Sequence, residues 1–516
     1  MLKHRESRRM LAISALIAAV LLLLFSRCSP LYPTNNWGEA NAFFTVGRGM
    51  LAGKVPYRDL TLGAGPLVYA LHALAACVSG SSFIGVWLLE IIALTGLLYF
   101  SWKLAARISG QSALSMYCAA LACLLVVSSR AFIYGDTVEE FALPLQAWTL
   151  CDLLLYLRDP DRCMPARRVV LYGFLAGCVL WLKYELLGVH LAFIAVLAVD
   201  AAVRERGLKR AALLCAEYLA GAAVSTLPWL AYFGANGALG ELWSSVYFNL
   251  SYLENWILSA YPVRGALAAL LSGLIHDLPA GIALLCSAGY LLRRLSQRRW
   301  NAACTAVCIA FACTAMLAYD ISARFRFSPM AVAVFVPLSA GPLALLAKRA
   351  WEKRQLYALL LAGAATVCAG YGCAVNDNLP FIGYSGSELA QTKLARYIQE
   401  NGGGSLLSYG FADGGFYLAT GTLPETSEFV SSCAYMSYTN QYNAIAGRQV
   451  DWVIVRGDRN VSDDYKLVLS ASSPYDCSTS SGQAYSYKLY QLERRNGQQL
   501  PEDEDTSKAE ADRLSW

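Results

Sequence analysis

The chain has 516 residues, is 56% hydrophobic and 15% charged, and carries a formal net charge of +5 with a mean hydropathy of +0.41. A soluble domain does not read like that; the composition points to a polytopic membrane protein. The apolar runs have the roughly 17–25 residues of a membrane-crossing helix and not the alternation of barrel strands, so the buried backbone is expected to pair within helices.

In chain order, the first expected span is 10–27. Its basic start and apolar core resemble a signal peptide, but LLLLFSRCSP lacks a small-residue cleavage site and reads as a retained anchor. Next comes WGEANAFFTVGRGMLAGKVPYRDLTLGAGP, in which Ala40, Phe43, Phe44, Gly47, Met50 and Leu51 recur at helical spacing with Arg48 opposite. That pattern predicts an amphipathic helix over 39–52 lying on the membrane surface. Asn35 or Asn36 would cap it and put Glu39 in the first turn, where the helix dipole favours any carboxylate, catalytic or not. The apolar segment 66–80 is short and predicts a second interfacial helix.

Further spans are expected near 83–105, 111–130, 139–157, 168–184, 187–203, 210–232, 277–294, 301–319, 327–347 and 355–374. With the first, these eleven put the basic clusters Lys3–Arg9, Lys103–Arg107, Arg158–Arg168, Arg204–Arg210, Arg293–Arg299 and Lys348–Arg354 on the cytoplasmic side. Counting 66–80 as a span would turn the next five clusters outward.

The loops left outside carry the polar chemistry. YGDTVEEF holds Asp136, Glu139 and Glu140; acids are ordinary at a helix start, yet three in one turn repel unless a cation or polar ligand visits. WLKYELLG sets Lys183 and Glu185 in a corner, where Lys183 either serves a ligand or snorkels to the interface. Arg324 and Arg326 in YDISARFRF face outward against the usual bias, as phosphate contacts would. Most of the sixteen cysteines fall in spans as small hydrophobes, while Cys433 and Cys477 are placed to form a disulfide outside. No spacing resembles a zinc site, and a bound metal would rely on carboxylates.

Residues 1–374 thus form the membrane body. In 375–500, helical LARYIQEN followed by strand-like SLLSYG, DWVIVRG and YSYKLYQLE predicts a small α/β domain outside the membrane. The charged, aperiodic tail 501–516 is expected to be disordered.

The first loop, PLYPTNNWGEANAFFTVGRGMLAGKVPYRDL with GPLVYALHAL, resembles that of family 39-like glycosyltransferases of the C superfamily (GT-C). These are polyprenol-phosphate-sugar-dependent membrane enzymes, relatives of protein O-mannosyltransferases and of the lipid A aminoarabinose transferase. GDTVEEFALPL, WLKYELLG and LLSYGFADGGFYLATGTLP follow in the same order, so the resemblance spans most of the chain. It implies an all-α polytopic body of about eleven helices with a small extracytoplasmic α/β domain, and two helices parallel to the membrane in the first outer loop. It also implies a catalytic carboxylate at Glu39, acting as general base on an acceptor hydroxyl. The donor would be a polyprenyl-phosphate-linked sugar and the acceptor an envelope glycan, lipid or protein. Asn41, Tyr57, Arg58, Asp136, Glu139, Glu140, Lys183, Arg324 and Arg326 are the substrate-binding candidates. Membrane lipids are expected partners, nucleic acid is not, and no cofactor is implied beyond an optional divalent metal.

Two departures from the family pattern stand out. Glu39 replaces the usual Asp, and Ala64 stands where relatives carry Lys before Gly-Pro-Leu. Arg58, Lys183, Arg324 or Arg326 would have to supply the missing charge. A non-catalytic paralogue that binds polyprenyl phosphate within an envelope-polymer complex is the alternative. A transporter is disfavoured by spans nearly free of charge and by the lack of repeats.

Overall fold

The computed structural model describes residues 2–159, 163–246, 278–317, 319–320, 326–327, 329–353, 362–363, 366–367, 370–374, 376–430, 439–473 and 485–493. Its helices are α1 (Leu2–Phe25), α2 (Gly38–Leu51), α3 (Pro66–Val78), α4 (Ile84–Ser109), α5 (Ser112–Val127), α6 (Val138–Tyr156), α7 (Ala166–Leu182), α8 (Gly188–Arg204), α9 (Lys209–Ala235), α10 (Leu278–Ser296) and α11 (Ala302–Leu317). Helices α1 and α4–α11 occupy the places of the first nine expected spans, and α2 and α3 those of the two surface helices. Among the described residues, four segments are long and apolar enough to cross a bilayer: Arg5–Phe25, Ile84–Ser109, Tyr184–Arg204 and Lys209–Ala235.

The tenth segment is not one helix. Between 326 and 353 the chain forms a two-residue strand, a 3-10 turn at Pro329–Val332, a helical turn at Phe335–Leu338 and α12 (Ala340–Lys353). Pro329, Pro337 and Pro342 each remove a backbone donor, which breaks a continuous helix. Most of the eleventh expected span lies outside the described residues.

The expectation of spans nearly free of charge also fails. Glu90 is fully buried in α4, and Asp152 in α6 takes Lys103 at 3.0 Å and the Tyr172 hydroxyl. Each such acid has a partner, as burial in an apolar medium requires.

Beyond residue 376 the chain builds a four-stranded sheet in the order β3-β4-β6-β5, the two-residue strands Tyr319–Asp320 and Arg326–Phe327 being β1 and β2. Strands β3 (Leu406–Tyr409) and β4 (Trp452–Arg456) run parallel, with Leu406 beside Trp452. Strands β5 (Tyr465–Ser472) and β6 (Ser486–Leu492) complete it antiparallel. The nearly continuous burial along β3 and β4 suits strands covered on both faces. Helix α13 (Ala390–Glu400) buries Ala390, Leu394 and Ile398 at helical spacing and covers the sheet. The expected helix and three strands are thus present, and β5 is an additional edge strand. The tail 501–516 and the Cys433–Cys477 pair lie outside the described residues.

Candidate functional site

The site is built around the head of α2. Trp37 is the N-cap residue and makes no side-chain cap, which corrects the expectation for Asn35 or Asn36. Asn35 accepts the Trp37 N–H at 3.0 Å, and Asn36 accepts from the Arg27 guanidinium instead. Asn41 is buried and donates to the Asn35 and Trp37 carbonyls, both at 2.8 Å, so it braces this turn from within. Glu39 stands in the first turn and is exposed.

Two glycines let neighbouring backbones touch. A Cβ at Gly47 would lie 2.6 Å from the Ala73 nitrogen, so α2 crosses α3 at that point. A Cβ at Gly65 would lie 2.0 Å from the Trp181 carbonyl, and the Gly65 N–H donates to Leu182 at 3.3 Å. Ala64 is therefore set against the end of α7, where the chain turns into Lys183.

Lys183 gathers the acids. Its ammonium lies 3.1 Å from Glu139 and 3.1 Å from Glu185. Burial alone would lower its pKa; Glu139, Glu185 and, further off, Glu39 outweigh that and hold it well above the ordinary lysine range. Two carboxylates thus pair with one ammonium, whose attraction also reaches Glu39.

The three acids of the 134–141 turn do not converge on one surface, contrary to the sequence reading. Asp136 is fully buried, and both its carboxylate oxygens lie 3.0 Å from His72 Nε2. His72 Nδ1 faces the Val68 carbonyl at 2.8 Å. The Val68 carbonyl makes Nδ1 a donor, and one proton is shared between Nε2 and the Asp136 carboxyl group. Burial pulls the His72 pKa down, but Asp136 and the Val68 carbonyl raise it above the ordinary value. Burial raises the Asp136 carboxyl, against the pull of His72. Glu140 turns inward to Glu90, and only Glu139 reaches Lys183. A turn of left-handed residues makes this division possible: Ile133, Gly135 and Asp136 all have positive φ.

The remaining candidates act locally. The Tyr57 hydroxyl donates to the Ala64 carbonyl at 2.7 Å and holds the loop closed. Arg58 pairs with Asp59 at 2.9 Å and donates to the Asn236 carbonyl at 2.8 Å. Arg326 lies in β2 opposite Asp320, and Arg324 falls outside the described residues. Among the described residues, no group of three or more His, Cys, Asp or Glu is arranged to hold a metal.

A strap from the C-terminal region covers the other side of α2. Thr45 donates to Asp413 at 2.8 Å, and the Gly415 N–H donates to the same carboxylate at 2.9 Å. Arg48 donates to the Tyr417 and Gly421 carbonyls, Lys54 to that of Pro424, and the Thr61 N–H to that of Ser427. Burial pushes the Asp413 carboxyl up to about 6, despite Thr45, Gly415 and Arg48. His72, Glu90 and Asp413 are the residues that sequence reasoning missed. A single acid in the apolar run WLLEIIAL was a readable signal for Glu90.

The family model "Competence-induced Ccs4 N", an N-terminal domain, matches residues 2–218. No curated protein sequence matches the chain significantly. The structure of ArnT from Cupriavidus metallidurans bound to undecaprenyl phosphate is similar at 13% identity and a TM-score of 0.57, covering 92% of this chain and 97% of that one. The same protein in the apo state gives 12% identity and a TM-score of 0.55, with 95% and 98% covered. An oligosaccharyltransferase from Archaeoglobus fulgidus, in complex with Zn and sulfate, matches at 14% identity and a TM-score of 0.49, over 87% of this chain and 68% of that one. At such identities the likeness to ArnT is one of fold alone, and it extends over nearly the whole of both chains.

Proposed function

We propose that the protein is an inverting glycosyltransferase that moves a sugar from a polyprenyl-phosphate donor to a cell-envelope acceptor. It would work at the outer face of the cytoplasmic membrane, N-terminus inside and C-terminal domain outside. The observation that carries this reading is Glu39, exposed in the first turn of α2 and coupled to the Lys183 cluster. The fold shared with an ArnT structure that holds undecaprenyl phosphate supports the donor class.

In this reading Glu39 takes the proton of the acceptor hydroxyl as its oxygen attacks the anomeric carbon. The new C–O bond forms while the bond to phosphate breaks, and its electron pair leaves with polyprenyl phosphate. Phosphate departs without protonation, so one carboxylate suffices, and a single displacement inverts the anomeric centre. Lys183 has two tasks: it keeps Glu39 ionised and offers positive charge to the departing phosphate. It takes the place of the lysine missing at Ala64, because Gly65 packs against the end of α7. The longer Glu39 side chain, by about 1.5 Å relative to Asp, requires an acceptor set correspondingly further from α2.

The test is Glu39→Gln in membranes supplied with a radiolabelled polyprenyl-phosphate sugar. Loss of transfer with unchanged donor binding and melting is expected. Undiminished transfer would remove the proposed base.

A further inference from the structure

Behind the Lys183 cluster lies a second group of acids that the proposed reaction does not use. Glu90 and Glu140 are both buried and their carboxyl groups are within hydrogen-bonding reach of each other. Glu90 is well supplied with donors: Ser26 Oγ reaches its two oxygens at 2.7 and 3.0 Å, and the Asp136 N–H reaches it at 2.8 Å. Neither carboxyl oxygen of Glu140 makes a hydrogen bond of ordinary geometry: the Asp136 N–H beside it donates to Glu90 instead. Two carboxylates cannot bond to each other, and a bare buried carboxylate beside a second one is strongly unfavourable. Either a cation or a proton must stand between them.

Among the described residues no group of three or more His, Cys, Asp or Glu is arranged to hold a metal, and Gly135 closes one side of Glu90. A Cβ at Gly135 would fall 2.6 Å from Glu90 Oε1 and 2.5 Å from Ser26 Oγ. The nearby His72 is already committed to Asp136 and the Val68 carbonyl. A proton needs no added volume.

We propose that Glu140 is a neutral carboxylic acid that donates its proton to the Glu90 carboxylate, and that the pair is a positioning device for the 133–140 corner. Glu90 is the post. It holds the end of α1 through Ser26 and the corner through the Asp136 N–H, and Glu140 locks the start of α6 to it. Glu139, one residue earlier, is thereby turned toward Lys183. Only this last consequence depends on the proposed reaction; the protonation state does not.

Infrared spectroscopy of the full-length protein in nanodiscs at pH 8 tests it. At that pH Asp413, with its pKa of about 6, is ionised and silent. A protonated-carboxyl C=O band that shifts in D2O is expected in the wild type. It should vanish in Glu140→Gln, persist in Glu139→Gln and move in frequency in Glu90→Gln, which changes its acceptor. Glu140→Gln, whose amide can still donate, should melt with the wild type, while Glu140→Ala should melt several degrees lower. Absence of the band in the wild type, or its survival in Glu140→Gln, would overturn the proposal. So would Gln melting as low as Ala, or one equivalent of metal lost on Glu140→Gln. Glycosyl transfer enters none of these readouts, so a failed enzyme assignment leaves them standing.

Discussion

Asp413 offers a sharp test of the strap over α2. It is fully buried, accepts from Thr45 and Gly415, and its pKa stands at about 6 instead of the ordinary 3.8. That displacement corresponds to about 3 kcal/mol between the two protonation states. The sign follows from an acid whose pKa is raised on folding: its contribution is fully present below about pH 3.8 and is lost as the pH rises through about 6. Above pH 7 the wild type carries the whole penalty of an ionised carboxylate in the contact. Asp413→Asn keeps the shape, accepts from Gly415 and bonds Thr45 while staying neutral. Its stability relative to the wild type should climb between pH 4 and 7 and then level off, in favour of Asn by up to about 3 kcal/mol. Melting temperatures in nanodiscs, read with hydrogen exchange over 411–427, give the two pH profiles. Parallel profiles for wild type and Asp413→Asn would refute the argument.

Three more expectations follow from the geometry. Lys183→Gln leaves Glu139 and Glu185 without their ammonium, so transfer should drop on the order of 100-fold. Its acid limb should move to higher pH, since Glu39 loses a cation that favours its ionised form, as a pH–rate profile would show. Gly65→Ala drives a methyl into the Trp181 carbonyl and should cost about 1–3 kcal/mol of stability with loss of donor binding, measured by melting and filter binding. His72→Leu strands Asp136 in the interior and should cost about 3–5 kcal/mol, whereas His72→Leu with Asp136→Asn should recover much of it.

The sequence carried α2, α3 and the helices around them because apolar spacing and basic clusters are local signals. Glu39 and Lys183 stood out in the sequence for the same reason: one opens a helix and the other sits in a short corner. The contacts that set that corner against the first loop did not. Gly65 against Trp181 is a contact between distant segments, and nothing in LGAGPL announces its partner. His72 meets Asp136 across 64 residues, so the few histidines gave no hint of pairing with an acid. The three acids of one turn read as a cluster, yet alternate backbone directions send them to three different places. Strand β5 was hidden because its edge position leaves much of it exposed, which blurs the alternation that marks a strand.

The grip of the first loop on the far end of the chain has a consequence for topology. Thr45, Arg48, Lys54 and Thr61 bond to residues 413–427, and Arg27 bonds to Asn378. Hydrogen bonds do not reach through about 30 Å of hydrocarbon, so both partners share one compartment. The chain between residues 61 and 376 must then traverse the bilayer an even number of times. The ten spans expected from the sequence between those residues meet that condition.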